Sequence, residues 1–202
     1  MINSISNQYS IFEKIRLAIW LIRTKIISRN ARMIRFPFHL RGKKYVKFGH
    51  GFTTGYGCRI EAYKCDKLDN SIKISFGDNV QINDYVHVSS ISHVDIGNDV
   101  LIASHVYISD NSHGSYKNDI NDTSPEIPPK NRPYYVSPVK IGDRVWIGEG
   151  VIILPGVKIG DGCIIGAHSI VNRDIPANGI AVGSPIKIIK KYSFSSKRWE
   201  KL

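Results

Sequence analysis

The chain has 202 residues, 42% of them apolar and 22% charged, a balance that fits one globular domain with a sizeable core and excludes a disordered chain. Its net charge of +11 sits at the two ends: residues 1–47 hold eleven Lys/Arg against Glu13 alone, residues 187–202 hold six against Glu200, and residues 48–186 hold eleven against fifteen acids. No nucleic-acid motif or basic–aromatic run accompanies that charge, so no nucleic-acid partner is expected; anionic lipid or a polyanionic cofactor suits two basic ends. Cys58, Cys65 and Cys163 are odd in number and lack metal-like spacing, which predicts free thiols in a reducing, cytoplasmic compartment.

The first element is a helix. Ile11, Ile15, Ile19, Ile22 and Ile26 recur every three or four residues and define one stripe, with Leu17, Trp20 and Leu21 carrying apolar surface around to the back. Arg16 and Arg23 bracket an apolar run of six, too short to span a bilayer, and no signal-peptide cleavage site follows. Two readings stay open: a helix packed on the rest of the domain, which is the favoured one, or a basic helix (residues 9–33) lying on an anionic membrane surface.

From residue 48 the chain counts in sixes. After a ragged start at Phe48, Thr54 and Ile60 come Phe76, Ile82 and Val88, then, past a two-residue slip, Ile96, Ile102 and Ile108. The strictest block is Ile141, Ile147, Ile153, Ile159, Ile165 and Val171, each followed four residues later by Val145, Val151, Val157, Cys163, Ser169 or Ile175. A six-residue period fits neither a 3.6-residue helix nor an ordinary hairpin. It fits a short strand and a corner, repeated, with one apolar side chain inward each time and glycine at many corners. Such rungs must stack to bury their interior, which predicts a parallel β-helix. The expected organisation is a basic helical segment at 1–47, the coil at 48–190 with a protruding loop at 111–138, and a basic tail at 191–202.

The rungs resemble the hexapeptide-repeat acyltransferases, with pattern [LIV]-[GAED]-x-x-[STAV]-x. The likeness is strongest in "VKIGDRVWIGEGVIILPGVKIGDGCIIGAHSIVNRDIPANGIAVGSPIKIIKK", which is similar to the galactoside, maltose and xenobiotic acetyltransferase branch. "INDYVHV", "LIAS" and "ISDNSHG" look most like bacterial O-antigen and capsule O-acetyltransferases. The resemblance implies an all-β, left-handed coil with three hexads per turn, a homotrimer with acetyl-CoA sites between subunits, and a saccharide acceptor. It makes His113 the general base, where the repeat gives way to a loop holding five of the nine prolines. An imidazole suits that task, since a hydroxyl must lose its proton as the new C–O bond forms and neutral imidazole accepts protons near neutral pH. Direct transfer without an acetyl-enzyme is expected, because none of the cysteines falls in the motif.

On the acceptor side the resemblance points to Asn83; Asp110 either orients the imidazole or is a turn residue. For the cofactor it points to Trp146, Glu149, Ala167, Asn172, Arg173, Ile186, Lys187 and Lys190. Glu149 is unexpected beside an anionic cofactor. Two departures from the sugar-acetylating enzymes put the acceptor in question: Ile91 falls at an acidic acceptor position, and Gly114 rather than proline follows His113. Other readings are N-acetylation of an amino sugar or amino acid, an inactive scaffold, and a zinc-dependent carbonic anhydrase on the same coil. The last needs a histidine five residues after His113, where Asn118 stands, so no metal is expected.

Overall fold

The computed structural model describes residues 9–66 and 68–202. The sixfold spacing becomes a triangular coil with three sheets, here faces A, B and C. Face A carries Thr53–Thr54, Gln81–Ile82, Leu101–Ile102, Trp146–Ile147, Ile164–Ile165 and Gly179–Val182. Face B carries Phe38–Arg41, Cys58–Ala62, His87–Ser90, Tyr107–Ser109, Ile152–Ile153 and Ile170–Val171. Face C carries Val46–Lys47, Ile74–Phe76, Val94–Ile96, Val139–Ile141 and Lys158–Ile159. The chain visits A, B and C in turn, and these strands pair in parallel, each with the turn below and the turn above.

Register places the predicted aliphatics in columns. Ile82, Ile102, Ile147 and Ile165 stack behind face A. Ile60, Val88, Ile108, Ile153 and Val171 stack behind face B. Phe76, Ile96, Ile141 and Ile159 stack behind face C. All are buried, and each contributes about 1.5–3 kcal/mol by leaving water. Corners are too tight for side chains at some glycines: a Cβ on Gly97 would lie 2.7 Å from the Gly142 carbonyl carbon in the turn above.

Two boundaries differ from the sequence expectation. The coil begins before residue 48: Phe38–Arg41 already pairs with Cys58–Ala62, Met33 bridges Thr53, and Ile34 is buried. The final segment is no loose tail, since Lys187–Ser193 folds back antiparallel on Gly179–Val182 and Arg198–Lys201 pairs with it in turn. Helix Ile11–Ile27 packs on the domain as expected and opens with a capping box between Ser10 and Glu13. It docks through the opposite face from the isoleucine stripe. Trp20 and Thr24 are buried; the Thr24 hydroxyl donates to the Trp20 carbonyl (2.7 Å) and accepts from the Ile34 N–H (2.8 Å), while Trp20 meets Tyr56 edge-on at 5.3 Å. Ile11, Ile15, Ile19, Ile22 and Ile26 all stay exposed.

Departures from six fall at one corner. Leu40 to Phe48 and Val88 to Ile96 are eight residues apart, Ile60 to Phe76 sixteen, and Ile108 to Ile141 thirty-three; each step leads from face B to face C. The excursions therefore pile up along a single edge of the prism.

Candidate functional site

That edge carries His113. Leaving face B after Ser109, the chain forms a small antiparallel hairpin in which Asn111–His113 pairs with Tyr134–Val136. His113 lies opposite Tyr134, the rings 4.7 Å apart between centroids, and its side chain is exposed. Among the described residues none hydrogen-bonds the imidazole, while the His113 carbonyl accepts from the Tyr116 hydroxyl at 2.7 Å. Gly114 has φ of +99°, outside anything proline can adopt, and a Cβ there would approach the Tyr116 hydroxyl to 2.5 Å. This turn, which sends the chain into the loop, is why glycine replaces the expected proline.

A cavity of about 850 Å³ opens beside His113, walled by the stacked excursions: Tyr63, Lys64 and Cys65 from one, Ile91 from the next, and Asn111, Ser112 and Tyr134 from the hairpin. Its floor is the outer surface of face B, with Arg41, Glu61, His87, Ser89 and Tyr107. The volume suits a sugar or small oligosaccharide unit.

Asp110 does not face this cavity. Its side chain is fully buried, and its carboxylate accepts from the Ser90 hydroxyl (2.7 Å), the N–H groups of Ile91 (2.9 Å), Ser92 (2.7 Å) and His93 (2.7 Å), and the Asn111 amide (3.0 Å). The expected orientation of the imidazole by Asp110 is therefore corrected: this carboxylate ties the 90–93 corner to the rung above. Asn83 lies elsewhere as well. It occupies the corner between faces A and B, half-buried, with its amide oxygen accepting from Gln81 at 3.1 Å.

The cofactor candidates divide. Trp146 lies outward on face A and is 52% exposed; Ala167, Asn172 and Lys187 are exposed, and Lys190 half-buried, on the C-terminal turns. The Arg173 guanidinium donates to the Ile186 carbonyl at 2.8 Å. Ile186 itself is fully buried, so its side chain belongs to the core and only its backbone is available to a ligand. Glu149 finds its physical account as a corner staple, its carboxylate accepting the Ser104 N–H of the turn below at 3.1 Å, as Asp84 accepts that of Tyr56 at 2.7 Å. None of these residues lines the His113 cavity, so a single chain does not unite the two halves of the expected site.

Sequence reasoning missed the floor of the cavity. Glu61, with its side chain 4% exposed, accepts from Arg59 (2.8 Å) and His87 Nε2 (2.9 Å), with His39 at 3.6 Å and Arg41 at 3.9 Å. Burial alone would raise its pKa, but the His87 hydrogen bond and the Arg59 charge hold the carboxyl below its ordinary value. Burial holds the His87 pKa down against the pull of Glu61, so near neutral pH the ring is uncharged and donates its Nε2 proton. No motif flags this group, because its members come from three successive turns.

A stacked triangular coil that throws out a histidine-bearing loop at one edge defines a hexapeptide-repeat transferase. The sequence profile for the bacterial transferase hexapeptide (six repeats) matches residues 138–173. Over 201 residues, all of both chains, the protein is 46% identical to WbbJ of Escherichia coli (strain K12), named provisionally as a lipopolysaccharide biosynthesis O-acetyl transferase. The chain therefore belongs to the hexapeptide-repeat acetyltransferases, and its coil is their left-handed parallel β-helix. It is similar also to a galactoside acetyltransferase solved in complex with coenzyme A: TM-score 0.54, 34% identity, 75% of this chain and 70% of that one covered. AntD, an N-acyltransferase from Bacillus cereus, shares the fold at TM-score 0.68 and 19% identity over 86% of this chain and 90% of its own.

Proposed function

We propose that this chain transfers the acetyl group of acetyl-CoA to a hydroxyl of a saccharide destined for a bacterial surface polysaccharide, O-antigen or capsule, with His113 as general base. The observation that carries the reading is the exposed His113 imidazole at the lip of a sugar-sized cavity, on a chain alike over its full length to a relative named for O-acetyl transfer. His113 takes the hydroxyl proton while the oxygen attacks the thioester carbonyl. Backbone N–H donors hold the oxyanion, the C–S bond breaks, and the imidazolium returns its proton to the departing thiolate. Trp146, Ala167, Asn172, Arg173, Lys187 and Lys190 are the proposed contacts for CoA, with the three cations toward its phosphates.

A homotrimer completes the site in this reading, one copy bringing its His113 edge against the cofactor surface of the next. Face A supports it: the outward column Leu101, Trp146, Ile164 and Ile180 is apolar, with Leu101 39% and Trp146 52% exposed, whereas the face C column Lys47, Ser75, Asp95, Lys140 and Lys158 is polar. No helix among the described residues is long and apolar enough to cross a membrane. The exposed isoleucines, flanked by Lys14, Arg16, Arg23 and Lys25, suit peripheral docking on anionic lipid at the inner membrane face. Full-length protein should bind anionic vesicles in a salt-sensitive way and protein lacking residues 1–33 should not; vesicle binding that survives the deletion removes the helix from the account.

His113→Ala tests the chemistry. The expected result is a kcat about 10²–10⁴-fold lower at an unchanged unfolding temperature; wild-type turnover by the purified variant refutes the proposal. Mass spectrometry of surface glycan with and without the protein should show loss of one acetyl group.

A further inference from the structure

The floor of the cavity holds a second imidazole with a feature that His113 lacks, a fixed tautomer. His87 stands in a column on face B, between Arg59 of the turn below and Tyr107 of the turn above. Its ring meets that of Tyr107 at 5.2 Å between centroids, and its Nε2 is 2.9 Å from the Glu61 carboxylate. An ionised carboxylate only accepts, so the proton of this bond belongs to Nε2. Glu61 is held in turn by the Arg59 guanidinium at 2.8 Å. With the ring uncharged near neutral pH, Nδ1 carries a lone pair and no proton. Among the described residues none hydrogen-bonds Nδ1, and no side-chain nitrogen or oxygen without a partner is shut off from solvent. Because His87 lines the cavity, that lone pair is open to a molecule bound there. Around it the lining suits a polyhydroxylated ligand: Arg41 offsets Glu61 at 3.9 Å, and Ser89, Tyr107, Asn111 and Ser112 are neutral and polar. Those four can each donate as well as accept, whereas Nδ1 accepts only.

We propose that His87, held by Glu61 with its proton on Nε2, accepts through Nδ1 a hydrogen bond from a second hydroxyl of the saccharide, and so selects which hydroxyl is presented to His113. His87 determines specificity in this account, and Glu61, acting through it, is a positioning residue. The inference rests on the acetyl-transfer reading above, which supplies the saccharide. A carboxylate–imidazole pair also has a plain structural use, giving the nearly buried Glu61 a partner, and two substitutions separate the uses. In His87→Gln the amide nitrogen takes the place of Nε2 and keeps Glu61 partnered, but no acceptor stands where Nδ1 was. In His87→Asn the amide oxygen takes the place of Nδ1, and the bond to Glu61 is lost.

The test uses the full-length protein with saturating acetyl-CoA, and the methyl glycosides of glucose, galactose and mannose as probes. For the glycoside acetylated fastest, KM should rise about tenfold in His87→Ala and His87→Gln, with kcat within about threefold of wild type. His87→Asn should recover part of the loss. Glu61→Gln should raise the same KM, because an amide lets the ring proton move to Nδ1. Among the monodeoxy derivatives of that glycoside, one that keeps the acetylated hydroxyl should lose the same factor with wild type and nothing further with His87→Ala, a coupling that a purely structural role does not produce. If His87→Ala does not fold, His87→Gln replaces it in this comparison. An unchanged KM in His87→Ala and His87→Gln, or recovery by His87→Gln and not by His87→Asn, overturns the proposal and leaves acetyl transfer standing. Should wild type acetylate none of the glycosides, their binding to CoA-saturated protein is read by saturation-transfer NMR. Binding lost in His87→Ala and kept in His87→Asn then removes the acetyl-transfer reading and upholds the role of His87. No binding by wild type, or equal binding by every variant, overturns the role of His87.

Discussion

Replacing Asp110 by asparagine separates a structural carboxylate from one that serves His113. In the folded chain one oxygen takes the Ser90 hydroxyl and the Ser92 and His93 N–H groups, and the other takes the Ile91 N–H and the Asn111 amide. An asparagine must turn its NH₂ toward one of these sets, setting donor against donor. Not all of the loss persists. The Ser90 hydroxyl has a single proton and a second acceptor in the Lys73 carbonyl at 2.8 Å, and the Ser92 and His93 N–H groups are only part-buried, so water can reach them. The Ile91 N–H is buried and has no such recourse. With hydrogen bonds to charged groups at about 1.5–3 kcal/mol and a stranded buried donor at about 1–3 kcal/mol, Asp110→Asn should destabilise by about 2–4 kcal/mol. Asp110→Ala should cost somewhat more, because no oxygen remains. Urea unfolding at pH 7 reads the loss as a lower midpoint, and activity assayed well below the transition should remain within a few-fold of wild type. An unchanged midpoint with a hundredfold fall in kcat would refute this reasoning and return Asp110 to the imidazole.

Three further outcomes are expected. Ile153, fully buried in the face B column, should lose about 2–5 kcal/mol of stability as alanine, and as aspartate should leave no folded protein in the soluble fraction, because the charge would have no partner. Thiol titration of the native protein at pH 8 should find Cys65 reactive and the buried pair inert, burial pushing the Cys58 thiol up to about 11 and the Cys163 thiol upward as well; prompt labelling of Cys58 in folded protein would contradict its place in the core. Glu61 is held below its ordinary 4.5, so its stabilising charge is present above that value and is lost as pH falls through the lower folded pKa. His87 acts in the same direction below 6.5, since the folded state resists its protonation. The unfolding temperature should therefore drop more steeply below pH 4.5 in wild type than in Glu61→Gln, and parallel curves in that range would argue against the cluster.

The coil was legible because each rung repeats the same local demand: one inward aliphatic every six residues, whatever lies above or below. Its first turn was missed for want of glycine, although Ile34 and Leu40 stand six apart and Phe48 follows after the same two-residue slip seen from Val88 to Ile96. The helix packs on the domain as expected, but a threonine that caps the Ile34 N–H and a tryptophan against Tyr56 anchor it from the side away from the isoleucine stripe, and neither contact has a periodicity to say which face docks. At the site, His113 was visible from its place at the loop, whereas Asp110, three residues before it, pointed to a contact that strand geometry forbids. Glu61 was invisible for the opposite reason. Its partners His39, Arg41, Arg59 and His87 come from three turns, and only the register Arg41–Glu61–Ser89 and His39–Arg59–His87 brings them together.

Why the site lies at one edge follows from how such a coil tolerates change. A rung that gains a residue within a strand flips its inward side chain to the surface, which the core cannot accept. A corner that gains residues leaves both flanking strands in register, and closing a longer loop adds only about 0.6 kcal/mol for each doubling of its length. Extra length accumulates at corners for that reason, and here it accumulates at the corner between faces B and C in successive turns: residues 41–47, 61–75, 89–95 and 109–140. Stacking then does for these excursions what it does for the core. Each lies over the one beneath, so the last three become the continuous wall of a single cavity, with Asp110 binding the third to the fourth. Above them, the step from Ile153 to Ile159 returns to six and the edge is bare. The cavity ends where the extra residues end, and in the proposed trimer that bare upper edge and the apolar column of face A are what remain for a neighbouring copy and a cofactor to occupy.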